Sequence, residues 1–332
     1  MRLFILCLLL FIFICGCEIE SSVVKKSVIQ SVVKERNGSI EIYFCPREDC
    51  AGKLVEFIKN AESYVHCALF DLDLKEVIDA LKEKSKVIDV KLVVDNEHFD
   101  NVAELYFVRK DTSSQFSHNK FCVIDGEKIS SGSFNPTERG AHFNNNNLLI
   151  IKSRFLAKNY EDEFQELWNY SFGKGKKVVY PVIYLDEIKI ENYFCPEDNC
   201  GERIEEALMN AEDSIYFMTF SFTHNGIANV IALKMINGVE VKGIFEKRGT
   251  GSEYSRYGFL EYQGADVRKD NNSYVMHHKV LIIDNSTVIT GSFNPSTNAD
   301  MNNDENVLII HDKEVAEKYL EEFKYIWENY SS

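Results

Sequence analysis

Two stretches of the chain carry the same reactive side chains at the same spacing. The first is His118-Asn119-Lys120, then Asp125, then Gly132-Ser133-Phe134-Asn135 and Pro136. The second is His277-His278-Lys279, then Asp284, then Gly291-Ser292-Phe293-Asn294 and Pro295. Each copy brings together an imidazole, an ammonium, a hydroxyl and a carboxamide. His and Lys two apart on a strand point to the same face, and a Gly-Ser-x-Asn turn can offer Ser133, Asn135, Ser292 and Asn294, with backbone N–H groups, to an anion. Brought face to face, the two copies suit a tetrahedral phosphate. Lysine and asparagine donors would neutralise its oxygens without a metal. One of His118 and His277 would attack phosphorus while the other protonates the leaving oxygen and then activates water. Lys120 and Lys279 are the accompanying cations. Asp125 and Asp284 follow apolar runs and precede turns, which fits a structural turn or a supporting position behind the reacting groups better than proton transfer. No stretch has the compact His, Cys or carboxylate spacing of a zinc or magnesium centre, so no metal or other cofactor is expected.

The elements around these stretches also repeat. A strand over residues 40–44 leads through a Cys-Pro turn into a helix over 51–61. A β-rich run (64–70), an amphipathic helix (74–84) and an apolar strand (90–94) follow. The motif strands lie at 121–124 and 128–131, another strand at 148–151, and a closing amphipathic helix at 155–170. The second half follows the same order from 188 to 330, with early landmarks 150 residues apart and late ones 159. Nine extra residues therefore enter the second half, and a helix around 254–263 accounts for them. The class is α/β: two tandem domains, each a mixed sheet flanked by helices, related by a pseudo-two-fold axis. The boundaries read 39–172 and 188–332, with a tether at 18–38 and a Gly/Lys-rich linker at 173–187. Within this frame the chain acts as a pseudo-dimeric monomer.

The chain has 332 residues and a net charge of −15, with 45% apolar and 27% charged residues. That length provides for two cored domains. The acidic balance argues against a surface that coats nucleic acid non-specifically, though it leaves room for a local basic cleft. Met1-Arg2 and the apolar run from Leu3 to Cys15 read as a processing segment, residues 1–17, too short for a mature membrane span. Ile14-Cys15-Gly16-Cys17 resembles a lipoprotein signal, with Cys17 the lipidated residue; a plain anchor helix is the alternative. Either places the body outside the cytoplasm, secreted or held at a membrane. Cys45/Cys50 and Cys195/Cys200 form two Cys-x4-Cys pairs in duplicated context. Local disulfides are the simplest reading, and a four-thiolate zinc site across the halves is the alternative. Cys67 and Cys122 lie in apolar runs and read as buried, inert thiols.

The doubled pattern resembles the phospholipase D, or HKD, superfamily of phosphodiesterases over nearly all of residues 39–332. The second half is especially similar to small bacterial HKD endonucleases and to mitochondrial cardiolipin-hydrolase-like nucleases, through Met276–Lys279, Ile289–Asn294, Asn303–Asn306 and Phe323–Trp327. The resemblance implies phosphodiester hydrolysis without metal through a phosphohistidine, with the N-terminal His as nucleophile and the C-terminal His as acid. It also implies that Glu305 orients the motif histidine. At the equivalent first-half position stands Asn146. A carboxylate beside His277 favours its protonated form and a neutral amide beside His118 does not, which predicts a neutral His118 nucleophile and a protonated His277 acid.

The expected substrate is nucleic acid, with membrane phospholipid the alternative and a non-catalytic phosphate-binding module a third reading. Residues 247–275 include Lys247, Arg248, Arg256, Arg268 and Lys269 with Tyr254 and Tyr257, a composition compatible with a polyanion strand.

Overall fold

The computed structural model describes residues 32–332. The signal segment, Cys17 and most of the tether lie outside the described residues. Among the described residues, no helix is long and apolar enough to cross a membrane.

The first sheet has seven strands: β2 (Ser39–Cys45), β3 (Tyr64–Leu69), β4 (Asp89–Val94), β5 (Val108–Lys110), β6 (Lys120–Ile124), β7 (Lys128–Gly132) and β8 (Asn146–Lys152), in the spatial order β2-β8-β7-β6-β3-β4-β5. Helices α1 (Cys50–Lys59), α2 (Lys75–Lys84), the short α3 (Glu138–His142) and α4 (Arg154–Trp168) connect and cover it. The second sheet repeats this plan with β10 (Ile188–Cys195), β11 (Ser214–Thr219), β12 (Glu240–Phe245), β13 (Asp266–Lys269), β14 (Lys279–Ile283), β15 (Thr287–Gly291) and β16 (Glu305–His311). Its helices are α5 (Cys200–Met209), α6 (Asn225–Ile236), α7 (Tyr257–Gln263), α8 (Thr297–Met301) and α9 (Lys313–Asn329). Helix α7 stands where the extra residues were expected, and both sheets mix parallel and antiparallel pairs.

Two boundaries differ from expectation. Residues 32–35 of the tether form β1, and Val182–Leu185 of the linker form β9. β1 pairs parallel with β9, which pairs antiparallel with β10, widening the second sheet to nine strands. Glu35 fixes this end, because its carboxylate accepts from Ser153 Oγ at 2.6 Å and from the Arg154 backbone N at 2.9 Å at the start of α4. The Val-Val-Lys-Glu stretch joins an available sheet edge, a long-range fact that its composition does not reveal.

Helices α4 and α9 carry apolar faces into one core shared by both halves. The contacts across it are reciprocal. Tyr160 of α4 meets Phe194 edge-on at 5.0 Å between ring centroids, and Tyr319 of α9 meets Phe44 at 5.2 Å. Their hydroxyls bind asparagines of the opposite half: Tyr160 donates to Asn306 Oδ1 at 3.1 Å, and Asn147 Nδ2 donates to Tyr319 at 3.0 Å.

The Cys45–Cys50 and Cys195–Cys200 disulfides are present, so these thiols do not form the alternative zinc site. Cys67 and Cys122, read above as free thiols, form a third disulfide. They are direct partners across β3 and β6, and only the strand register reveals that proximity.

Candidate active site

Strand alternation selects the reacting face. On entering β6, His118 and Lys120 turn one way while Asn119 turns the other and accepts from Asn306 Nδ2 at 2.7 Å. On entering β14, His277 and Lys279 turn to the site while His278 turns toward Glu322, 3.4 Å away. Each motif loop then pairs with the opposite half. The His118 backbone N donates to Asp304 O and the His277 backbone N to Asn145 O, both at 2.9 Å. These backbone links place β16 of one half beside the histidine of the other.

The partners of the imidazoles are therefore crossed, and the same-half pairing is corrected. His118 Nδ1 lies 2.8 Å from Glu305 Oε2, and His277 Nδ1 lies 2.8 Å from Asn146 Oδ1 and 3.1 Å from Ser133 O. The carboxylate serves the first histidine and the amide the second, because the segment before each final strand crosses the interface. Glu305 is itself held: Ser292 Oγ donates to Oε2 at 2.6 Å and Asn303 Nδ2 to Oε1 at 3.2 Å. Ser292 thus positions Glu305. Ser133 is buried, and its Oγ accepts from the Asn147 backbone N at 3.0 Å. The Ser292 O–H is thus spent on the scaffold of the site, whereas the Ser133 O–H donates to none of the described residues and stays open to a ligand oxygen. The carboxamides of Asn135 and Asn294 differ: among the described residues their Oδ1 atoms are buried without a partner, and no acceptor takes their Nδ2–H donors, the groups able to meet a phosphate oxygen. Those two carboxamides remain available to a ligand.

The motif glycines are required by local geometry. Gly132 and Gly291 have φ of 130° and 137°, and an added Cβ would lie 2.5 Å and 2.3 Å from the carbonyl oxygens of Asn147 and Asn306. A side chain would push the motif loop off the final strand and misplace Ser133 or Ser292.

The site is enclosed; His118 and His277 expose 7% and 9% of their surface. Lys120 Nζ donates to His118 O at 2.6 Å, and Lys279 Nζ donates to His277 O at 3.0 Å and lies 3.1 Å from His277 Nε2. Burial and the two lysines hold both imidazoles well below their ordinary pKa, so both are neutral in the ligand-free site. Burial pulls Lys120 down to about 7 and Lys279 well below its usual value. Burial also raises Glu305 to about 7 against the opposing pull of Lys120 and the Ser292 and Asn303 donors. With its Nδ1–H directed at Glu305, His118 presents an unprotonated Nε2. Phe70 and Phe220 stand edge-on to His118 and His277 at 4.8 Å and 5.0 Å, completing apolar walls.

Asp125 and Asp284 are not behind the reacting groups. They lie one strand length, about 16 Å, beyond the motif lysines, each with positive φ. Each accepts from three successive backbone N–H groups: Glu62, Ser63 and Tyr64 for Asp125, and Glu212, Asp213 and Ser214 for Asp284. They are turn clamps, and the supporting position is corrected. Sequence reasoning missed Phe70, Phe220 and Asn147 and gave Asn306 no role. Their duplication at offsets of 150 and 159 was the available signal.

The sequence matches the family described as "Cardiolipin synthase, PLD-like domain" over residues 54–168 and 204–327, more than half of the chain. It is 30% identical over 153 residues to a phospholipase D of Rickettsia prowazekii, covering 46% of this chain and 75% of that protein. A mitochondrial cardiolipin hydrolase of Mus musculus is 38% identical over 128 residues, covering 39% of this chain and 58% of that protein. The solved phosphatidylserine synthase of Haemophilus influenzae Rd KW20 superposes with a TM-score of 0.68 over 88% of this chain and 87% of its own, at 13% identity. That last likeness concerns the fold, and it extends through both halves.

Proposed function

This chain belongs to the phospholipase D-like (HKD) superfamily of phosphodiesterases, and we propose that it hydrolyses phosphodiesters through a phosphohistidine on His118. One observation carries the reading: two imidazoles, one from each half, are anchored at Nδ1 by the opposite half while lysines flank them. His118 Nε2 attacks phosphorus, and the bond to the leaving oxygen breaks. His277 Nε2 gives that oxygen its proton. Water then gives a proton to His277, attacks phosphorus, and returns the N–P electron pair to His118. Lys120, Lys279, Asn135 and Asn294 bind the non-bridging oxygens. Burial first, and the lysine charges second, keep His277 neutral in the free site; the bound anion offsets the lysine charges and favours a protonated His277, which then serves as the acid. Both halves lie in one chain, and a single copy acts as a pseudo-dimer.

The preferred substrate is a nucleic acid strand. Phe143 and Tyr274 stack at 4.4 Å between centroids, each partly exposed and three residues from Asn146 or His277. Arg248 belongs to the same rim, donating to Ser273 O at 3.4 Å with its side chain largely exposed. Aromatic faces beside cations suit successive bases and phosphates. The similarity to a phospholipase D and to a cardiolipin hydrolase favours the second reading, a membrane phospholipid. The three disulfides support placement outside the cytoplasm, with attachment through Cys17.

The test incubates the enzyme in EDTA with labelled single-stranded DNA, RNA, and phosphatidylcholine or cardiolipin vesicles. Cleavage of nucleic acid that disappears in His118→Ala is expected, with phosphate trapped on His118 in rapidly quenched samples. Turnover of lipid alone moves the assignment to the second reading. Phosphate trapped on His277 would reverse the roles of the histidines, and turnover of none of these substrates would favour the binding-module reading.

A further inference from the structure

Two buried carboxylates outside the doubled motif face the loops that carry the imidazoles. Asp95 directly follows β4 and Glu246 directly follows β12. Asp95 Oδ2 accepts from the backbone N of Ser117, and Glu246 Oε2 from that of Met276, each at 2.9 Å. Ser117 and Met276 are the residues immediately before His118 and His277. The same bond is thus made twice, by an aspartate in one half and a glutamate in the other.

The next N–H in each loop, that of His118 or His277, donates to a carbonyl of the opposite half, Asp304 O or Asn145 O. Each loop is therefore pinned through two successive N–H groups, one to its own half and one across the interface. The crossing bond alone leaves the loop free to pivot about it, and the bond one residue earlier removes that freedom. Both acids are fixed in turn. The second oxygen of Asp95, Oδ1, accepts from the Glu97 backbone N at 2.9 Å, and Glu246 Oε1 accepts from the Arg248 backbone N at 3.3 Å. A carboxylate bridges the strand end to the histidine loop because it has two acceptor oxygens; an amide has one, and its nitrogen would face the second donor. Burying a charge is costly unless hydrogen bonds compensate it, and here the compensation comes from the donors whose position decides where each imidazole sits.

We propose that Asp95 and Glu246 are positioning residues that act through different histidines: Asp95 aims His118 at phosphorus, and Glu246 aims His277 at the leaving oxygen and then at water. The assignment rests on the phosphohistidine reading above. The experiment compares the full chain with Asp95→Ala and Glu246→Ala in rapid-quench turnover of bis(p-nitrophenyl) phosphate and of single-stranded DNA, or of phosphatidylcholine vesicles if lipid alone is cleaved. Nitrophenolate leaves with little help from an acid, whereas an alkoxide needs its proton. Asp95→Ala should slow phosphohistidine formation about 10²-fold on both substrates, the penalty of a misplacement of about 1 Å, and lower the amount trapped. Glu246→Ala should slow that step by less than about 3-fold with the nitrophenyl ester and about 10²-fold with the alkyl ester. It should also slow the second step, in which His277 activates water, so phosphohistidine builds up on the nitrophenyl substrate above the parent's level. Where an alanine variant does not fold, Asp95→Asn and Glu246→Gln, which fill the same space with one acceptor oxygen fewer, should show the same split. Equal slowing of both steps on both substrates, as a purely structural role predicts, or rates within about 3-fold of the parent, overturns the proposal. A parent that turns over substrate without any phosphohistidine defeats the reading beneath it, and this assignment with it.

Discussion

The crossed contact between Glu305 and His118 makes Glu305→Gln the most informative substitution. In the proposed step, where His118 Nε2 bonds phosphorus, the ring gains positive charge. The carboxylate oxygen is 2.8 Å from Nδ1, which puts the two charge centres roughly 4 Å apart. At an effective dielectric of 20 that pair amounts to about 4 kcal/mol. Glutamine keeps the acceptor and so the same tautomer, but replaces a charge with a dipole. A loss of about 2–3 kcal/mol follows, or about 30- to 150-fold in kcat at 1.36 kcal/mol per decade. The substitution should fit, because the glutamine oxygen can face His118 and Ser292 while its amide meets Asn303, whose own carboxamide can turn over. The assay is single-turnover hydrolysis of bis(p-nitrophenyl) phosphate, recording the burst that reports phosphohistidine formation. A kcat within about 3-fold of the parent, under 1 kcal/mol, or a loss confined to KM would refute the idea that this carboxylate stabilises the charged ring.

Other outcomes follow from the same geometry. Glu305 must be ionised, and burial holds its pKa up at about 7, so activity rises as pH increases through that value. Lys120 must be protonated, and burial pulls it down to about 7, so activity falls as pH rises beyond it; kcat/KM should give a narrow bell near neutrality, with the acid limb missing in Glu305→Gln. Asp125→Ala should lower unfolding free energy by about 2–3 kcal/mol, the cost of freeing three backbone donors from a charged acceptor, and leave kcat unchanged in the same hydrolysis assay. Replacing Cys67 and Cys122 with alanine opens a loop with a sequence separation of 55. Urea unfolding should show a loss of about 3–4 kcal/mol, and thiol labelling of the unfolded parent should find none of the six paired cysteines reactive until it is reduced.

Local patterns in the sequence reported the local structure well. The period-2 runs became strands, the amphipathic runs became α1, α2, α4, α5 and α9, and the Cys-x4-Cys pairs closed on themselves. The doubled motif also gave the members of the site, because identical spacing in two copies fixes identical side-chain directions on two strands. Its wiring was another matter. Glu305 and His118 are 187 residues apart, and their contact depends on how two sheets dock. The same limit hid the Cys67–Cys122 bond and the pairing of β1 with β9, both of which depend on register between distant segments. The demotion of Ser292, Asp125 and Asp284 from phosphate contact or catalytic support has a shared reason. A hydroxyl or carboxylate near a motif is as able to satisfy a backbone donor as a substrate, and only the geometry decides between them.

The crossed anchoring also bears on the order of synthesis. A nascent chain that has emerged only as far as Trp168 already contains His118, Lys120, Ser133 and Asn135, yet the carboxylate that holds His118 is still 137 residues away. His277 and the amide from Asn146 can meet earlier, but they lack the nucleophile's partner. Competence therefore arises only when β16 docks across the interface, one of the last steps in assembling the second sheet. On the proposed mechanism a truncated product would carry a His118 without its Glu305 anchor, and activity would await nearly the whole length of the chain.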